Sequence, residues 1–428
     1  MKNLAKYFVL LLLVQCEPVI PQKSGVKKQL FFSDHEYEVL VGNVQMLKSE
    51  DEQTDALSNP VIKRTGNETL LLNFDLLSDR FENLSAMIYH CNKNWKRSRL
   101  RDQEFLSEIN NYRVIDFDYS LNTVQPYVNY RLALPTPTIS GNYVLAVFRR
   151  GNPSDVLFTR RFLVCENIIS IEQLVRVSTT ISKREENQQI EFSIDYKDLL
   201  VNIPTENITT YILQNHNWNT AKGDIAPTSI RANEGIMEYR NLDLSTNFTG
   251  GNEFRWTDLR TLDIEGRNVA TIQNTGSEIF AQLGLDVSRK AVSYTQNFQD
   301  INGNYIIENN EPGENFLNSD YATVRFTLKS EKIRGNVFVS GRFNNWRLQD
   351  RNQMRYDAEQ KMYYTNIFLK QGYYDYQYVV TGELPTYHFE GSHFQTENDY
   401  EILVYYSRPG DINDQLLGYK KFKSIDDF

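Results

Sequence analysis

The sequence predicts an all-β protein made of about three tandem β-sandwich domains with little helix. Three observations support this prediction: an aromatic-rich composition, stretches of alternating apolar and polar residues, and turn residues between those stretches. Of the 428 residues, 4 are Trp, 26 are Tyr and 24 are Phe, which favours pleated, half-buried sheets over helices. A hydrophobic fraction of 40% argues against a disordered chain.

The strands are indicated by apolar side chains at every second position, the pattern of a sheet with one face in the core and one in water. In chain order, such stretches cover residues 72–76, 190–196, 324–328, 374–380 and 400–406. Sequences typical of tight turns lie between them, at 140–142, 302–304 and 381–382. Helix is expected only in short stretches such as residues 103–109.

The first residues have the composition of a secretory signal peptide, expected over residues 1–20. Lys2 and Lys6 precede an apolar run at 7–14, which is too short to span a bilayer. Cys16 ends a segment resembling the lipobox of bacterial lipoproteins, so a lipid on Cys16 and cleavage near Gln22 both remain open. We therefore expect an extracytoplasmic protein.

A recurring Asn-Trp pair suggests three related domains, because each pair follows an apolar strand and the pairs stand about 125 residues apart. The pairs are at 94–95, 217–218 and 345–346. Chance recurrence is the alternative, since Asn is abundant. The expected domains are an N-terminal sandwich at 27–168, a middle sandwich at 169–315 and a C-terminal sandwich at 319–425.

Composition and motifs argue against binding of nucleic acid or anionic lipid and against enzyme activity. With 46 basic and 55 acidic residues, the net charge of −9 disfavours nucleic acid and anionic lipid as partners. The sequence has no nucleophile elbow, phosphate-binding loop or Cys-x-x-Cys, so we expect no enzyme activity, no cofactor and no metal. His388, Glu390 and His393 form the best metal candidate, which we interpret as a solvated strand end. Cys91 and Cys165 fit two buried thiols or a disulfide.

The C-terminal segments GRFNNW at 341–346 and YDYQYVVTG at 374–382 resemble the glycogen-binding type of carbohydrate module, an early-set immunoglobulin-like sandwich. That family binds sugar with two Trp rings and a Lys. Here only Trp346 is present, Gln377 stands at the Lys position, and no Trp follows Gly382. An exported glycan-binding protein is therefore the alternative function.

Eight motifs, in order, resemble the plug proteins of the type IX secretion system of Bacteroidota. They are HCNKNW at 90–95, DYSLNT at 118–123, YVNY at 127–130, SGNY at 140–143, TRRF at 159–162, GNEFR at 251–255, LKQGY at 369–373, and EG at 390–391 with TENDY at 396–400. The resemblance covers nearly the whole mature chain.

The resemblance implies a non-enzymatic periplasmic protein that closes the periplasmic opening of a giant SprA-like outer-membrane translocon barrel. The barrel is then the expected partner, with no nucleic acid and no stable small-molecule ligand. Membrane contact is expected only through the barrel or a lipid on Cys16. The candidate interface residues are a basic cluster and three tryptophans: Lys93, Trp95, Lys96, Arg97, Arg99, Arg101, Trp256 and Trp346. A solvated loop and buried corners are the structural alternatives for these residues.

Overall fold

The structure, a computed structural model, describes residues 28–50, 53–295, 299–311 and 317–427. In these residues the regular structure is almost entirely strand, arranged as six sheets that pack around three large apolar cores and two smaller apolar clusters. The predicted all-β sandwich fold is thus confirmed. The signal peptide and Cys16 lie outside the described residues. None of the helices in the described ranges is long and apolar enough to cross a membrane.

The first sandwich contains strands β1 to β11 and the short helix α1. Their bounds are β1 His35–Glu36, β2 Val41–Glu50, β3 Gln53–Asp55, β4 Val61–Lys63, β5 Thr69–Leu76, β6 Leu84–Cys91, α1 Asp102–Phe105, β7 Tyr112–Val114, β8 Asp116–Tyr119, β9 Val128–Leu134, β10 Gly141–Arg149 and β11 Val156–Cys165.

Two sheets form this sandwich, in the orders β1-β11-β10-β6-β7, with β4 beside β11, and β3-β2-β5-β9-β8. Phe74 shows how the alternating pattern fills the core between them. Its ring lies 5.2 Å from that of Tyr130 on β9 and 4.8 Å from that of Phe158 on β11 of the facing sheet. All three side chains are buried, and truncating such a residue to Ala typically costs about 3–5 kcal/mol.

The remaining strands follow in chain order. They are β12 Ser170–Val177, β13 Asn187–Asp195, β14 Ile208–Gln214, β15 Lys222–Gly223, β16 Ser229–Arg231, β17 Ile236–Tyr239, β18 Asn247–Thr249, β19 Arg255–Asp258, β20 Val269–Asn274, β21 Ile279–Leu283, β22 Asp286–Val287, β23 Tyr305–Ile307, β24 Tyr321–Lys329, β25 Asn336–Ser340, β26 Arg355–Asp357, β27 Met362–Lys370, β28 Gly372–Thr381, β29 Asp399–Tyr406 and β30 Gln415–Lys423. Helix α2 covers Pro204–Asn207, and 3₁₀ turns cover Ile181–Lys183, Arg342–Asn344, Asp350–Asn352 and Ser424–Asp427.

The middle sandwich is made from two separate parts of the chain. One sheet has the order β12-β13-β17-β16, with β18 on β13, and the other has the order β15-β14-β29-β30. Strand β14 pairs antiparallel with β29, so that Ile212 lies opposite Ile402. Both side chains are fully buried in the core shared by the two sheets. The last two strands of the chain therefore complete the middle sandwich.

The C-terminal sandwich lies in sequence between the two parts of the middle one. Its sheets have the orders β19-β28-β23, with β25 on β28, and β20-β21-β24-β27-β26, with β22 on β24. The observed sheets do not follow the domain boundaries expected at 169–315 and 319–425. Strands β19 to β22 belong to sheets with later strands, and β29 pairs with β14 of the middle sandwich. Sequence spacing assigns a strand to its neighbours along the chain, whereas these pairs join segments far apart.

Candidate functional site at the junction of the three sandwiches

The three Asn-Trp turns, one from each sandwich, meet in space. The rings of Trp95 and Trp218 make an edge contact, with centroids 4.8 Å apart and an interplanar angle of 88°. The side-chain amide of Asn219 donates to the carbonyl oxygen of Trp346 at 3.3 Å. Trp95 and Trp346 have φ angles of 61° and 58°, a left-handed conformation that a bulky residue adopts only under constraint. The repeated pair therefore marks a junction between the three domains.

Arg161 on β11 of the first sandwich contacts tryptophan rings of both the first and the middle sandwich at this junction. Its guanidinium carbon lies 5.1 Å from the ring centroid of Trp95 and 5.4 Å from that of Trp218, within cation–π range. Its backbone N and its Nε donate to the two carboxylate oxygens of Asp34, each at 2.8 Å. Burial acts to raise the pKa of Asp34, but Arg161 and Arg160 hold it below its usual value.

A buried carboxylate, Glu36, connects the first sandwich to the C-terminal one. It accepts hydrogen bonds from Arg160 of its own sandwich, from Arg351 at 2.8 Å and from Asn345 Nδ2 at 3.1 Å. Burial opposes the charged form, yet Arg160 and Arg351 lower the pKa of Glu36 to about 2. The carboxylate is therefore ionised at neutral pH, as the ion pair requires.

A second buried ion pair, Asp75 with Lys370, also joins the first and C-terminal sandwiches. Lys370 Nζ on β27 lies 2.7 Å from Asp75 Oδ2 on β5, and the side chains are 2% and 0% exposed. The same oxygen accepts from the hydroxyl of Tyr321 at 2.6 Å, and Asn129 Nδ2 donates to the other oxygen at 2.8 Å. Lys370 Nζ also lies 4.0 Å from the ring centroid of Tyr127.

Polar contacts also tie the C-terminal and first sandwiches to the middle one. Arg342 Nη1 donates to Asn59 Oδ1 at 2.9 Å and to Asn304 Oδ1 at 2.6 Å. Asn59 Nδ2 in turn donates to the hydroxyl of Tyr419 at 3.5 Å, and that hydroxyl donates to Glu401 at 2.9 Å. Contacts of this number and burial indicate that the three sandwiches hold one fixed arrangement.

The tryptophans predicted as interface residues are involved in packing within the protein. Trp346 is 7% exposed and packs against Phe254, with centroids 5.8 Å apart, and Trp95 is half-buried against Trp218. Both rings pack within the protein, and a role of Trp95 and Trp346 as interface residues stays a prediction. Trp256 is half-buried and stacked on Tyr373 at 5.7 Å, so part of its surface remains accessible.

The predicted basic cluster is partly neutralised. Lys93 Nζ donates to Thr209 Oγ1 of the middle sandwich at 2.7 Å, so this residue belongs to the junction. Arg101 pairs with Glu104 at 3.3 Å, and the guanidinium of Arg97 covers the Tyr89 ring at 4.9 Å. Two further members of the cluster are exposed and form no ion pair within the described ranges: Lys96 and Arg99.

The residues that would form a sugar-binding platform in the alternative function are buried. The Trp346 ring is enclosed, since a Cβ added at Gly303 would lie 2.2 Å from its Cη2 atom. Gln377, at the position of the family's Lys, is 6% exposed. A sugar ring requires an accessible aromatic face, and Trp346 offers none.

Of the three residues considered for metal chemistry, Glu390 is a buried ion-pair partner, while His388 and His393 are partly exposed. Glu390, expected at a solvated strand end, is 1% exposed and accepts from Arg255 Nε at 3.0 Å and Arg289 Nη2 at 2.7 Å. In the described ranges no group of three or more His, Cys, Asp or Glu could hold a metal ion. Cys91 and Cys165 are free thiols, and burial raises the pKa of each to about 12.

Sequence reasoning did not identify Arg160, Arg161 and Lys370 as junction residues. A usable signal is present in the sequence, because each is a cation in a strand whose other residues are mostly apolar or aromatic. A buried cation requires a carboxylate partner. The partners themselves, Glu36, Asp34 and Asp75, come from distant strands and cannot be located from the sequence.

Comparisons with known proteins find a match to one family model and similarity to solved structures. Residues 41–166, which contain most of the first sandwich, match the family model described as "Type 9 secretion system plug protein 1st domain". The crystal structure of a hypothetical protein from Parabacteroides merdae ATCC 43184 is similar, with a TM-score of 0.86 and 29% sequence identity. The match covers 92% of this chain and 100% of that one. No curated protein matches the chain.

Proposed function

We propose that this chain closes the periplasmic opening of the giant SprA-like translocon barrel when no substrate is passing, and the match of residues 41–166 to the type 9 secretion system plug protein family model supports this. The role is non-enzymatic, and the barrel is the stable partner. The family match supports an envelope-associated secretion role, and placement in the periplasm at the outer membrane is part of the proposal.

The observation that carries the proposal is the fixed arrangement of the three sandwiches. A very wide barrel encloses a water-filled lumen, so a protein that seals it must keep its shape against thermal motion. Tandem domains on flexible linkers move relative to one another, since inter-domain contacts are ordinarily small. Here the ion pairs Asp75–Lys370 and Glu36–Arg351 and the Trp95–Trp218 contact join all three sandwiches.

The test is co-purification of the tagged full-length protein from outer-membrane extracts of its native host in mild detergent. Quantitative mass spectrometry should recover a giant barrel subunit in near one-to-one ratio, and an untagged strain provides the background. Recovery of the protein without any barrel subunit would contradict the proposal.

A further inference from the structure

A second cationic surface lies where the first and C-terminal sandwiches meet, outside the basic cluster expected from the sequence. The rings of Phe31, His35 and Tyr37 form one group, with centroids between 4.3 and 5.9 Å apart. Arg347 of the C-terminal sandwich lies next to this group, because its Nη1 donates to the backbone oxygen of Asp34, the residue before His35, and Leu348 follows Arg347 in the chain. We call Phe31, His35, Tyr37, Arg347, Leu348 and Arg351 the seam patch.

The residues in and next to the seam patch include more basic than acidic side chains. The local cations are Arg160, Arg161, Arg347 and Arg351, and the local acids are Asp34 and Glu36. Asp34 is bound by Arg161, and Glu36 is bound by Arg160 and Arg351.

Arg347 is the cation without a carboxylate of its own. Within the described ranges it forms no ion pair, and its guanidinium donates a long hydrogen bond of 3.4 Å to the backbone oxygen of Asp34. Burial and the neighbouring Arg347, Arg351 and Arg160 lower the pKa of His35 to about 4, whereas Glu36 acts to raise it. The low pKa is consistent with a positive local field.

An apolar cleft opens next to this charge. A cavity of about 330 Å³ lies between the two sandwiches, and Glu36, Arg160 and Arg351 are among the residues that line it. Its apolar wall includes Val39, which is 77% exposed, and Phe368, which is 45% exposed. Phe31 and Leu348 are also exposed, at 41% and 39%. Aromatic, aliphatic and Arg side chains around a pocket are the composition of energetically dominant interface residues.

We infer that the seam patch is the docking surface for a loop of the partner barrel that carries a carboxylate next to an apolar side chain. The carboxylate pairs with Arg347, and the apolar side chain enters the cleft beside Val39 and Phe368. Charge complementarity selects this occupant, because an uncompensated Arg binds a carboxylate through two parallel hydrogen bonds. The inference rests on the proposed function, since that function supplies the partner.

The experiment compares barrel recovery in the same co-purification for wild type, Arg347→Glu, Leu348→Glu and Arg355→Glu. Arg355 is the matched control, because it is an exposed arginine of the same sandwich outside the seam patch. We expect both patch variants to lower recovery by about tenfold or more and Arg355→Glu to stay within about twofold. Wild-type recovery should also fall as salt is raised, since the contact is partly exposed.

The outcomes separate this inference from the proposed function. If wild type recovers no barrel, the proposed function fails; if wild type recovers it and both patch variants recover it equally, only the inference is overturned. Loss confined to Arg347→Glu, together with a lowered unfolding midpoint, would also overturn it, because Leu348→Glu must act independently. A wild-type dimer that Arg347→Glu dissociates would place a second copy on the patch and overturn the inference as well.

Discussion

Replacing Lys370 by Met should destabilise the whole protein, although Met fills a similar volume. Lys370 is 3% exposed, and its removal leaves the carboxylate of Asp75, which is fully buried, without a counter-ion. Breaking a buried ion pair by removing one partner costs about 3–5 kcal/mol. Hydrogen bonds from Tyr321 and Asn129 still stabilise Asp75, so we expect the free energy of unfolding to fall by about 3 kcal/mol, the lower end of this range.

The assay is urea unfolding of the full chain followed by Trp fluorescence. The matched control is Lys361→Met, which breaks an exposed pair of similar length, 2.9 Å to Glu331, and should cost less than about 1 kcal/mol. The double variant Asp75→Asn with Lys370→Met removes both charges and should recover much of the loss. A cost for Lys370→Met no larger than that of the control would refute the reasoning about this ion pair.

Three further predictions concern the junction and the buried titratable groups. Gly303→Ala should lower the free energy of unfolding by about 2 kcal/mol or more in a thermal unfolding assay, since φ is +76° and the new Cβ would clash with Trp346. The control is Gly276→Ala, at φ +80° with no atom within 4 Å of the new Cβ, which should cost only about 1 kcal/mol in the same assay. Burial lowers the pKa of His90 to about 4, so the unfolded chain takes up a proton first as pH falls from 6.5 to 4, and the contribution of His90 to stability should fall by about 3 kcal/mol. His90→Gln should reduce the slope of the unfolding free energy against pH by this contribution, while His35, whose pKa is lowered to the same value, keeps its own. Burial raises the pKa of Asp300 to about 7, so the folded chain holds this proton longer and the contribution of this residue to stability falls as pH rises from 4 to 7. Urea unfolding at pH 5 and 7.5 should show a more positive change in stability for Asp300→Asn than for wild type, and an equal change would contradict the assignment.

The fold class was predictable because period two is a local property of the chain. The stretches at 190–196 and 324–328 become β13 and β24, with their apolar residues in the cores. The assignment of strands to sandwiches was not predictable in this way. Strand β29 pairs with β14, and nothing in the sequence around Tyr400 shows that its partner lies so far back.

The candidate site was predictable only in part. The recurrence of the Asn-Trp pair indicated three corners, but their meeting in space depends on how the sandwiches pack. The basic cluster at 93–101 is visible in the sequence as a run of charge. Thr209, which accepts a hydrogen bond from Lys93, is distant in sequence. The seam patch combines residues 31–37 with 347–351, so no local pattern could have shown it.

The most direct test of the plug account is the outer-membrane permeability of a deletion strain to an antibiotic too large for ordinary porins. Deletion should raise susceptibility because the barrel lumen is left open, and a copy of the wild-type gene should restore resistance. Restoration by Lys370→Met should be incomplete at temperatures where that variant unfolds. Unchanged susceptibility in the deletion strain, with the translocon barrel present at its normal level, would contradict the account.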